Sequence, residues 1–226
     1  MTHLSAVAAL DEPTRRRLYD FVVSQPEPVS RDEAAAAEEL PRTTAAFHLD
    51  RLVEAGLLSV VHERRSGRTG PGAGRPAKLY HRSDRQITVS LPERRYDLAG
   101  QLLAAALSEA ENSGESPRAI LDRRARTLGT DIGLAARSLH PEVSTEDSVV
   151  RTLAEQGFEP RVSGDHILLG NCPFHDLARQ QPELVCGMNL CLLDGLLNGL
   201  GMRGLSPRLN PTRNHCCVRL EPTDGS

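Results

Sequence analysis

The stretch LPRTTAAFHLDRLVEAGLL (Leu40–Leu58) predicts a helix whose two faces differ in chemistry. Pro41 suits the first turn of a helix, and Gly56 stands where the helix is expected to end. Four apolar residues recur at i, i+4, i+7 and i+8, which places them on one face: Ala45, Leu49, Leu52 and Val53. We expect this face to pack in a core.

The opposite face carries side chains that can contact a partner. It comprises Thr44, Phe47, His48 and Arg51, with Arg42 and Thr43 near the helix start. In the major groove of DNA, guanidinium and hydroxyl groups meet base edges and phosphates. An ordinary amphipathic surface helix would show a similar pattern, so the flanking sequence decides between the two interpretations.

The residues before this stretch predict further helices. Leu4–Ser24 has a helical pattern, and Asp11–Thr14 either divides it into two segments or kinks its start. Ser30 and Glu33 form a capping-box pattern for a second helix that ends near Glu39. Helix, short helix and amphipathic helix thus follow one another in the order of a helix-turn-helix unit.

Two strand-like segments come next, Leu57–Val61 and Ala77–Tyr80. They are joined by SGRTGPGAGRP (Ser66–Pro76), a tip rich in glycine and proline that carries Arg68 and Arg75. Two strands with a basic tip form the wing of a winged helix, whose arginines can approach phosphates or a minor groove. The alternative is a flexible hairpin tip without DNA contacts.

The charge of the chain is unevenly distributed. The 226 residues carry a net charge of −3, yet residues 41–85 carry +5 and the remainder therefore −8. Because the field near a contact steers the partner, a basic patch on an acidic protein is compatible with DNA binding. The predicted DNA contacts are Arg42, Thr43, Thr44, His48 and Arg51 on the helix, with Arg68 and Arg75 in the wing.

The composition, with 39% hydrophobic and 25% charged residues, is that of a globular protein. No segment approaches the ~20 apolar residues that span a bilayer, and Met1–Ala9 lacks the pattern of a signal peptide. We therefore predict a cytoplasmic protein without a membrane partner. In a reducing compartment, five cysteines indicate a metal or redox role rather than a disulfide framework.

Three motifs together resemble a known DNA-binding domain. LDEPTRRRLYDFV (Leu10–Val22), TTAAFHLDRLVEAGLL (Thr43–Leu58) and GRPAKLY (Gly74–Tyr80) are similar to the DNA-binding domain of bacterial ArsR/MarR-type winged-helix regulators. The resemblance covers roughly residues 5–85. It implies a winged helix that binds a double-stranded DNA operator and regulates transcription.

The rest of the chain predicts a helical region followed by an α+β domain. Leu91–Glu111 is helical and forms either a dimer seam or a contact within its own protomer; Pro117–Leu139 is a helix interrupted around Gly129 and Gly133. After Thr145 we expect a short helix, strands at 161–163 and 166–169, a long apolar helix at 184–200 and strands at 208–209 and 218–220. The predicted fold class is α+β. Its domains are a winged helix-turn-helix (1–90), a helical linker and dimerisation region (91–140) and a cysteine-bearing sensor domain (141–226).

All five cysteines fall in the last quarter of the chain. Cys172 follows a predicted strand and Cys186 lies on an apolar helix face. Cys191 points away from that face, because five residues turn a helix by about 140°. Cys216 and Cys217 start a predicted strand, so only one is expected to face the same interior as Cys186. Cys172, Cys186 and one of the terminal pair could converge on a soft metal centre; the alternative is that they are buried apolar residues.

A second resemblance bears on this choice. NCPF (Asn171–Phe174), the cysteine in PELVC (Pro182–Cys186) and a cysteine near the C-terminus resemble the sensory domain of iron–sulfur repressors that regulate cluster-assembly operons. The resemblance implies an iron–sulfur cluster, of the [4Fe-4S] type, held by Cys172, Cys186 and Cys216 or Cys217. His175, Cys191 and the doubled cysteine depart from that pattern, and the fourth ligand is not fixed by it.

The sequence therefore predicts a homodimeric transcriptional regulator, not an enzyme, whose operator affinity is controlled by an iron–sulfur cluster or metal. One alternative is a winged-helix regulator whose second domain is zinc-stapled, or metal-free and binds a small molecule. Another is a thiol-based redox enzyme that uses Cys172 and His175. It would need a lowered thiol pKa and a pocket.

Overall fold

In a computed structural model, which describes residues 3–63, 76–141, 145–211 and 215–223, the chain divides into two compact units. The first unit is Met1–Val89 and the second is Ser90–Ser226. The chain mixes helix and sheet, so the predicted α+β class is confirmed.

The described part of the first unit holds the helices α1 (His3–Ala9), α2 (Pro13–Ser24), α3 (Arg31–Ala37) and α4 (Arg42–Glu54). Its strands are β1 (Val29–Ser30), β2 (Leu58–Glu63) and β3 (Ala77–Arg82), which form an antiparallel sheet in the order β1-β3-β2. The two helices α1 and α2 over Leu4–Ser24 show that, of the two predicted alternatives, a division rather than a kink occurs here. The strands β2 and β3 pair from Leu58 with Arg82 to Glu63 with Ala77, as expected for a wing hairpin.

Local sequence explains where α3 begins and where α4 ends. The Ser30 hydroxyl accepts a hydrogen bond from the Glu33 amide, and the Glu33 carboxylate accepts one from the Ser30 amide, so the predicted capping box is confirmed. Gly56 has φ +72°, a left-handed conformation in which glycine avoids the Cβ clash of other residues. It lies two residues beyond the last helical residue, Glu54, and lets the chain turn into β2.

The described part of the second unit contains α5 (Tyr96–Ser113), α6 (Pro117–Leu139), α7 (Thr145–Glu155), α8 (His175–Gln180) and α9 (Pro182–Leu200). Its strands are β4 (Pro160–Ser163), β5 (His166–Leu169), β6 (Leu205–Leu209) and β7 (Val218–Pro222), which form an antiparallel sheet in the order β4-β5-β7-β6. Buried residues of α5 and α6 share one core with α9 and the sheet: Ala99, Leu102, Ile120, Leu121, Leu193, Leu196, Val218 and Leu220. Residues 91–140 therefore help to build the core of this unit.

Helix α6 corrects one prediction, because it continues without interruption through Gly129 and Gly133. A Cβ on Gly129 would lie 2.0 Å from the carbonyl oxygen of Leu192 in α9, and one on Gly133 would lie 2.4 Å from that of Leu196. The glycines are thus the points where two helix backbones touch. The close packing outweighs their low helix propensity, which costs about 1 kcal/mol per residue relative to alanine.

Helix α9 lies at the centre of the second unit. It is long and apolar enough, by length and composition, to cross a bilayer, but most of its residues are buried inside this unit. It packs against α6, α8, β6 and β7. Its apolar character is accounted for by this central position in the core.

Candidate nucleic-acid interface and cysteine cluster

Helix α4 is held in the first unit by its apolar face. Ala45, Leu49 and Leu52 are fully buried, in agreement with the predicted core face, and Val53 packs against them in a partly buried position. The other side of the helix is open to solvent. A helix anchored in this way can present its outer face to a groove without losing its own packing.

Three of the predicted DNA contacts are exposed on α4: Arg42, Thr43 and Arg51. Arg51 donates a hydrogen bond to the Glu54 carboxylate at 2.9 Å, and its guanidinium lies 5.5 Å from the centre of the Phe47 ring. Arg42 forms an ion pair with Asp32 of α3. These arginine contacts are exposed, so water competes for them and their exchange for phosphate or base contacts costs little.

Thr44 and His48 lie deeper than the sequence pattern indicates. Thr44 is half-buried, and the side chain of His48 is only 15% exposed. The Nδ1 atom of His48 lies 3.4 Å from the carboxylate of Glu12, which also caps α2 by accepting hydrogen bonds from the Thr14 and Arg15 amides. The imidazole thus lies beside the N-terminus of α2, whereas the sequence places it on the outer face with Arg51.

A polar network fixes α4 to the sheet. The Asp50 carboxylate accepts hydrogen bonds from the Tyr80 hydroxyl, at 2.9 Å, and from the Lys78 ammonium group of β3. Burial alone would raise the pKa of Asp50, but these two hydrogen bonds hold it below its usual value. The carboxylate is therefore ionised at neutral pH and ties the middle of α4 to the wing hairpin.

Arg68 and Arg75, the predicted wing contacts, lie outside the described residues. The structure does describe the strands that lead to them, which end at Glu63 and begin again at Ala77. The helices α2, α3 and α4 with the β2–β3 hairpin have the order of a winged helix-turn-helix.

Comparison with protein families agrees with this geometry. Residues 10–61 match the family model described as a helix-turn-helix domain. The chain carries a helix-turn-helix domain at its N-terminus. The match supports the N-terminal part of the resemblance to ArsR/MarR-type regulators and indicates a DNA-binding transcriptional regulator. No curated protein and no solved structure matches the chain.

In the second unit, four cysteines from three segments of the chain come together. Cys172 follows β5, Cys186 belongs to α9, and Cys216 and Cys217 precede β7. The sulfurs interact in two pairs, Cys172 with Cys216 and Cys186 with Cys217, each close enough to share a hydrogen bond. We refer to Cys172, Cys186, Cys216 and Cys217 as the cysteine cluster.

The adjacent residues Cys216 and Cys217 have different surroundings. Cys216 is buried in the core, whereas Cys217 is half-buried, and the alternation continues with the buried Val218 and Leu220 of β7. Each contacts a different cysteine of the cluster. Cys191 is separate, as predicted: it lies beside Arg126 of α6, whose guanidinium is 3.7 Å from its sulfur.

The thiols differ in how readily they ionise. The hydrogen bond from Cys216 lowers the pKa of Cys172 against the effect of burial, and the Phe174 amide and Arg94 lower it further. Burial and the hydrogen bond to Cys217 raise the pKa of Cys186 to about 12. The pKa of Cys216 is raised by its hydrogen bond to Cys172 and by burial. Cys172 is thus the thiol of the cluster that is predisposed to be a thiolate.

An amide and an open cleft complete the surroundings of the cluster. Asn189 of α9 is buried, and its amide nitrogen lies 3.3 Å from the sulfur of Cys216. A cleft of about 570 Å³ is lined by Cys172, Cys217, His175, His215, Arg94 and Arg179, among others. A small molecule or ion can therefore reach the cluster from solvent.

The donor set fits a soft metal, because thiolates select zinc and iron–sulfur centres. The thiols are at present hydrogen-bonded to one another. Over the ranges that the structure covers, no group of three or more His, Cys, Asp or Glu side chains is already spaced as a metal site. Occupation by a metal therefore requires these thiols to lose their protons and separate around it.

Sequence reasoning did not identify several residues of these two sites. The Asp50–Lys78–Tyr80 network joins residues 28 and 30 positions apart, and no local pattern marks it. Asn189 lies between the apolar residues Met188 and Leu190 of α9, and a polar side chain in such a run indicates a buried hydrogen bond. The helical spacing predicts Phe47 on the outer face of α4 but indicates no role for its aromatic ring.

Proposed function

We propose that the chain is a transcriptional regulator that places α4 in the major groove of a double-stranded DNA operator. The observation that carries the proposal is the exposed face of Thr43, Phe47 and Arg51 on the last helix of a helix-turn-helix domain. Arg51 is the residue that would bind a base edge, and Arg42 and Thr43 at the helix start would meet phosphates. Arg68 and Arg75 in the wing would hold the DNA backbone.

His48 has a different role in this proposal from the one that its position in the sequence indicates. Its ring lies beside Glu12, so we assign it to orienting α4 against α2 and not to a base. We propose that Thr44, which is half-buried near the start of α4, contacts a phosphate with its hydroxyl group. The N-terminal end of such a helix is the end that enters the groove. The proposal places the protein in the cytoplasm, where a bacterial operator lies.

We further propose that the regulator is a homodimer. A two-fold symmetric protein binds two half-sites about one helical turn of DNA apart, which doubles the contacts that one α4 can make. Exposed leucines on α5 and α6 support a helical dimer surface in the second unit: Leu107, Leu134 and Leu139.

The cysteine cluster is proposed to hold the regulatory centre, an iron–sulfur cluster of the [4Fe-4S] type or, alternatively, zinc. When bound, such a centre supplies sulfur–metal bonds that join the loop after β5, α9 and the segment before β7. The chain contributes the four sulfurs, and Asn189 holds Cys216 in place. Ligation would then be coupled to operator affinity through a free-energy difference between the two states of the second unit.

The experiment uses the full chain purified without oxygen and a library of random DNA duplexes. Duplexes that remain bound are sequenced, and the preferred one is titrated at fixed salt, while iron, sulfide and zinc are measured on the same preparation. We expect one preferred sequence and an affinity that changes at least tenfold when the centre is removed. Equal binding to all duplexes would overturn the DNA-binding proposal; absence of any metal, with unchanged binding by Cys172→Ser, would overturn the metal proposal.

A thiol-based enzyme is the second candidate, and a specific observation favours it. Cys172 and His175 line the same cleft, which is open to solvent. A steady-state reductase assay on the metal-free chain separates the two candidates, because turnover that is lost in Cys172→Ser supports the enzyme. A chain that shows no turnover and binds one duplex selectively supports the regulator.

A further inference from the structure

The ring of Phe47 is an apolar group in the middle of the outer face of α4. It is 57% exposed, although the core beneath it is complete with Ala45, Leu49 and Leu52. Truncating this ring would therefore leave the packing of the first unit in place. A large aromatic side chain at such a position is available for contact with a partner.

The ring is held between two neighbours on the same helix. The His48 ring meets it edge to face, with 5.2 Å between the ring centres, and the Arg51 guanidinium lies 5.5 Å from its centre. The side chain of His48 is itself only 15% exposed, with its Nδ1 atom 3.4 Å from the Glu12 carboxylate. The aromatic surface therefore has a defined orientation before any partner arrives, which reduces the entropy lost on binding.

The spacing of Phe47 and Arg51 places them on nearby base pairs. Four residues of helix span about 6 Å along the axis, and successive bases are about 3.4 Å apart along a strand. Two side chains at this spacing, in a helix that lies in the major groove, reach bases within about two steps of each other. Arg51 matches the O6 and N7 atoms of guanine.

The major groove offers an aromatic ring one apolar group, the C5-methyl of thymine. Stacking of the ring on a base face requires an unpaired base, which an intact duplex does not present. Hydrogen-bonding edges of the other bases would lose water against the ring without gaining a partner. Thymine is therefore the base whose contact with Phe47 is favourable.

We propose that Phe47 is a specificity-determining residue that contacts the methyl group of a thymine within about two base pairs of the guanine bound by Arg51. The inference rests on the proposed DNA-binding function and specifies the base that one residue recognises. The contact contributes affinity by excluding water from the methyl group and the ring.

The experiment is a double-mutant cycle between protein and DNA. The duplex preferred by the full-length wild type is resynthesised with each thymine in turn replaced by deoxyuridine, which removes only the methyl group. Dissociation constants are measured at fixed salt for wild type, Phe47→Ala, Phe47→Leu and Val162→Ala, the last being an exposed apolar control in β4 of the second unit.

For one thymine in each half-site we expect uracil to weaken wild-type binding about three- to fivefold, as for the loss of one buried methyl group. The same replacement should have no effect on Phe47→Ala, a partial effect on Phe47→Leu, and the wild-type effect on Val162→Ala. Uracil at the other thymines should be neutral for all four proteins.

The inference is overturned if every uracil duplex affects wild type and Phe47→Ala equally, or if the sensitive thymine lies far from the guanine at which Arg51→Ala loses preference. Failure of the underlying function is a separate result, since a wild-type chain that selects no sequence yields no duplex to modify. Circular dichroism of Phe47→Ala, expected to match wild type, establishes that a lost effect is not a lost fold.

Discussion

The carboxylate of Asp50 in α4 accepts a hydrogen bond from the hydroxyl of Tyr80 in β3 at 2.9 Å. Lys78 of the same strand also binds this carboxylate. The contact joins the middle of α4 to the strand that leads back from the wing tip. It therefore couples the orientation of the proposed DNA-contacting helix to that of the hairpin. We expect a shift of the helix to be accompanied by a shift of the hairpin.

We expect Asp50→Asn to remove a pH-dependent part of the stability of the first unit. Although burial alone would raise it, the hydrogen bonds from Lys78 and Tyr80 hold the pKa of Asp50 below its unfolded value of about 3.9. The stabilisation is therefore present above pH of about 4 and is lost as the pH falls through the lower folded pKa. The half-exposed carboxylate limits the effect to about 1 kcal/mol at pH 7.

Thermal unfolding of wild type and variant at pH 7 and in acid measures this effect. The difference between them should shrink as the pH falls below the ordinary carboxyl range. Asp20→Asn, a loss of the same charge at an exposed site on α2, serves as the control. A gap between wild type and Asp50→Asn that stays constant with pH would contradict the assignment.

Arg51→Ala is expected to weaken operator binding by about 1–3 kcal/mol, because a bidentate contact between arginine and guanine carries that much discrimination. The loss should be concentrated at one base pair in each half-site. Gel-shift titration at fixed salt measures it, with Arg208→Ala, an exposed arginine of β6, as the control for net charge. Unchanged affinity for the preferred duplex would exclude Arg51 as a base contact.

Gly195→Ala is expected to destabilise the second unit strongly. Its added Cβ would lie 2.0 Å from the carbonyl oxygen of Arg126, a backbone atom that cannot move aside without shifting α6. Overpacking of this kind costs about 1–3 kcal/mol or more. Chemical denaturation of the full chain gives the change in the free energy of unfolding.

Gly100→Ala is the matched control for this substitution. Gly100 lies within α5, and nothing stands within 4 Å of the Cβ position. Alanine there should stabilise the protein by up to about 1 kcal/mol through its higher helix propensity. If both alanines destabilised equally, close packing of α6 on α9 would not explain the effect at Gly195.

Each serine variant of the cysteine cluster is expected to lower the metal content of protein purified without oxygen. Cys172→Ser and Cys186→Ser should abolish an iron-dependent brown colour, and Cys216→Ser and Cys217→Ser should both do so because each sulfur contacts another cysteine. Cys191→Ser should retain the colour, since its sulfur lies beside Arg126. Metal and sulfide analysis with absorbance spectra measures the result.

Three outcomes of that series would revise or overturn the proposal. Full metal content in Cys217→Ser alone would mean that Cys216 is a ligand and Cys217 is not, as the alternation along a strand predicts for one residue of the pair. Zinc in place of iron, bound with the same dependence on the four sulfurs, would select the zinc alternative. Metal content that is unaffected by any of the four substitutions would place the metal elsewhere and overturn the assignment of the cluster as its site.

Local patterns were sufficient to locate most helices and strands. The Ser30–Glu33 capping box and the i, i+4, i+7 spacing of Ala45, Leu49 and Leu52 act within one or two turns of chain, so the sequence predicts them directly. The strands predicted at 161–163 and 166–169 are likewise found as the antiparallel pair β4 and β5. These features depend on neighbours in sequence.

Local sequence patterns gave wrong predictions where a contact with a distant segment determines the position or role of a residue. In the sequence, Gly129 and Gly133 indicate a break in the helix. In the structure they allow the backbone of α9 to approach α6 closely. His48 shares the helical spacing of exposed residues, yet Glu12, thirty-six positions earlier, turns its ring toward α2. Such contacts join segments far apart in the chain, and periodicity carries no information on them.

By itself the sequence determined the helix-turn-helix order, the wing strands, the α+β class and the identity of the candidate sulfur ligands. Only the tertiary structure decided that Cys216 lies beside Cys172 and Cys217 beside Cys186, and that Asp50 ties α4 to β3. The physical reason is that secondary structure follows from the backbone and its nearest side chains, whereas a site is formed by packing. Packing brings together residues that are far apart in the sequence, and it determines which of their side chains remain exposed to a partner.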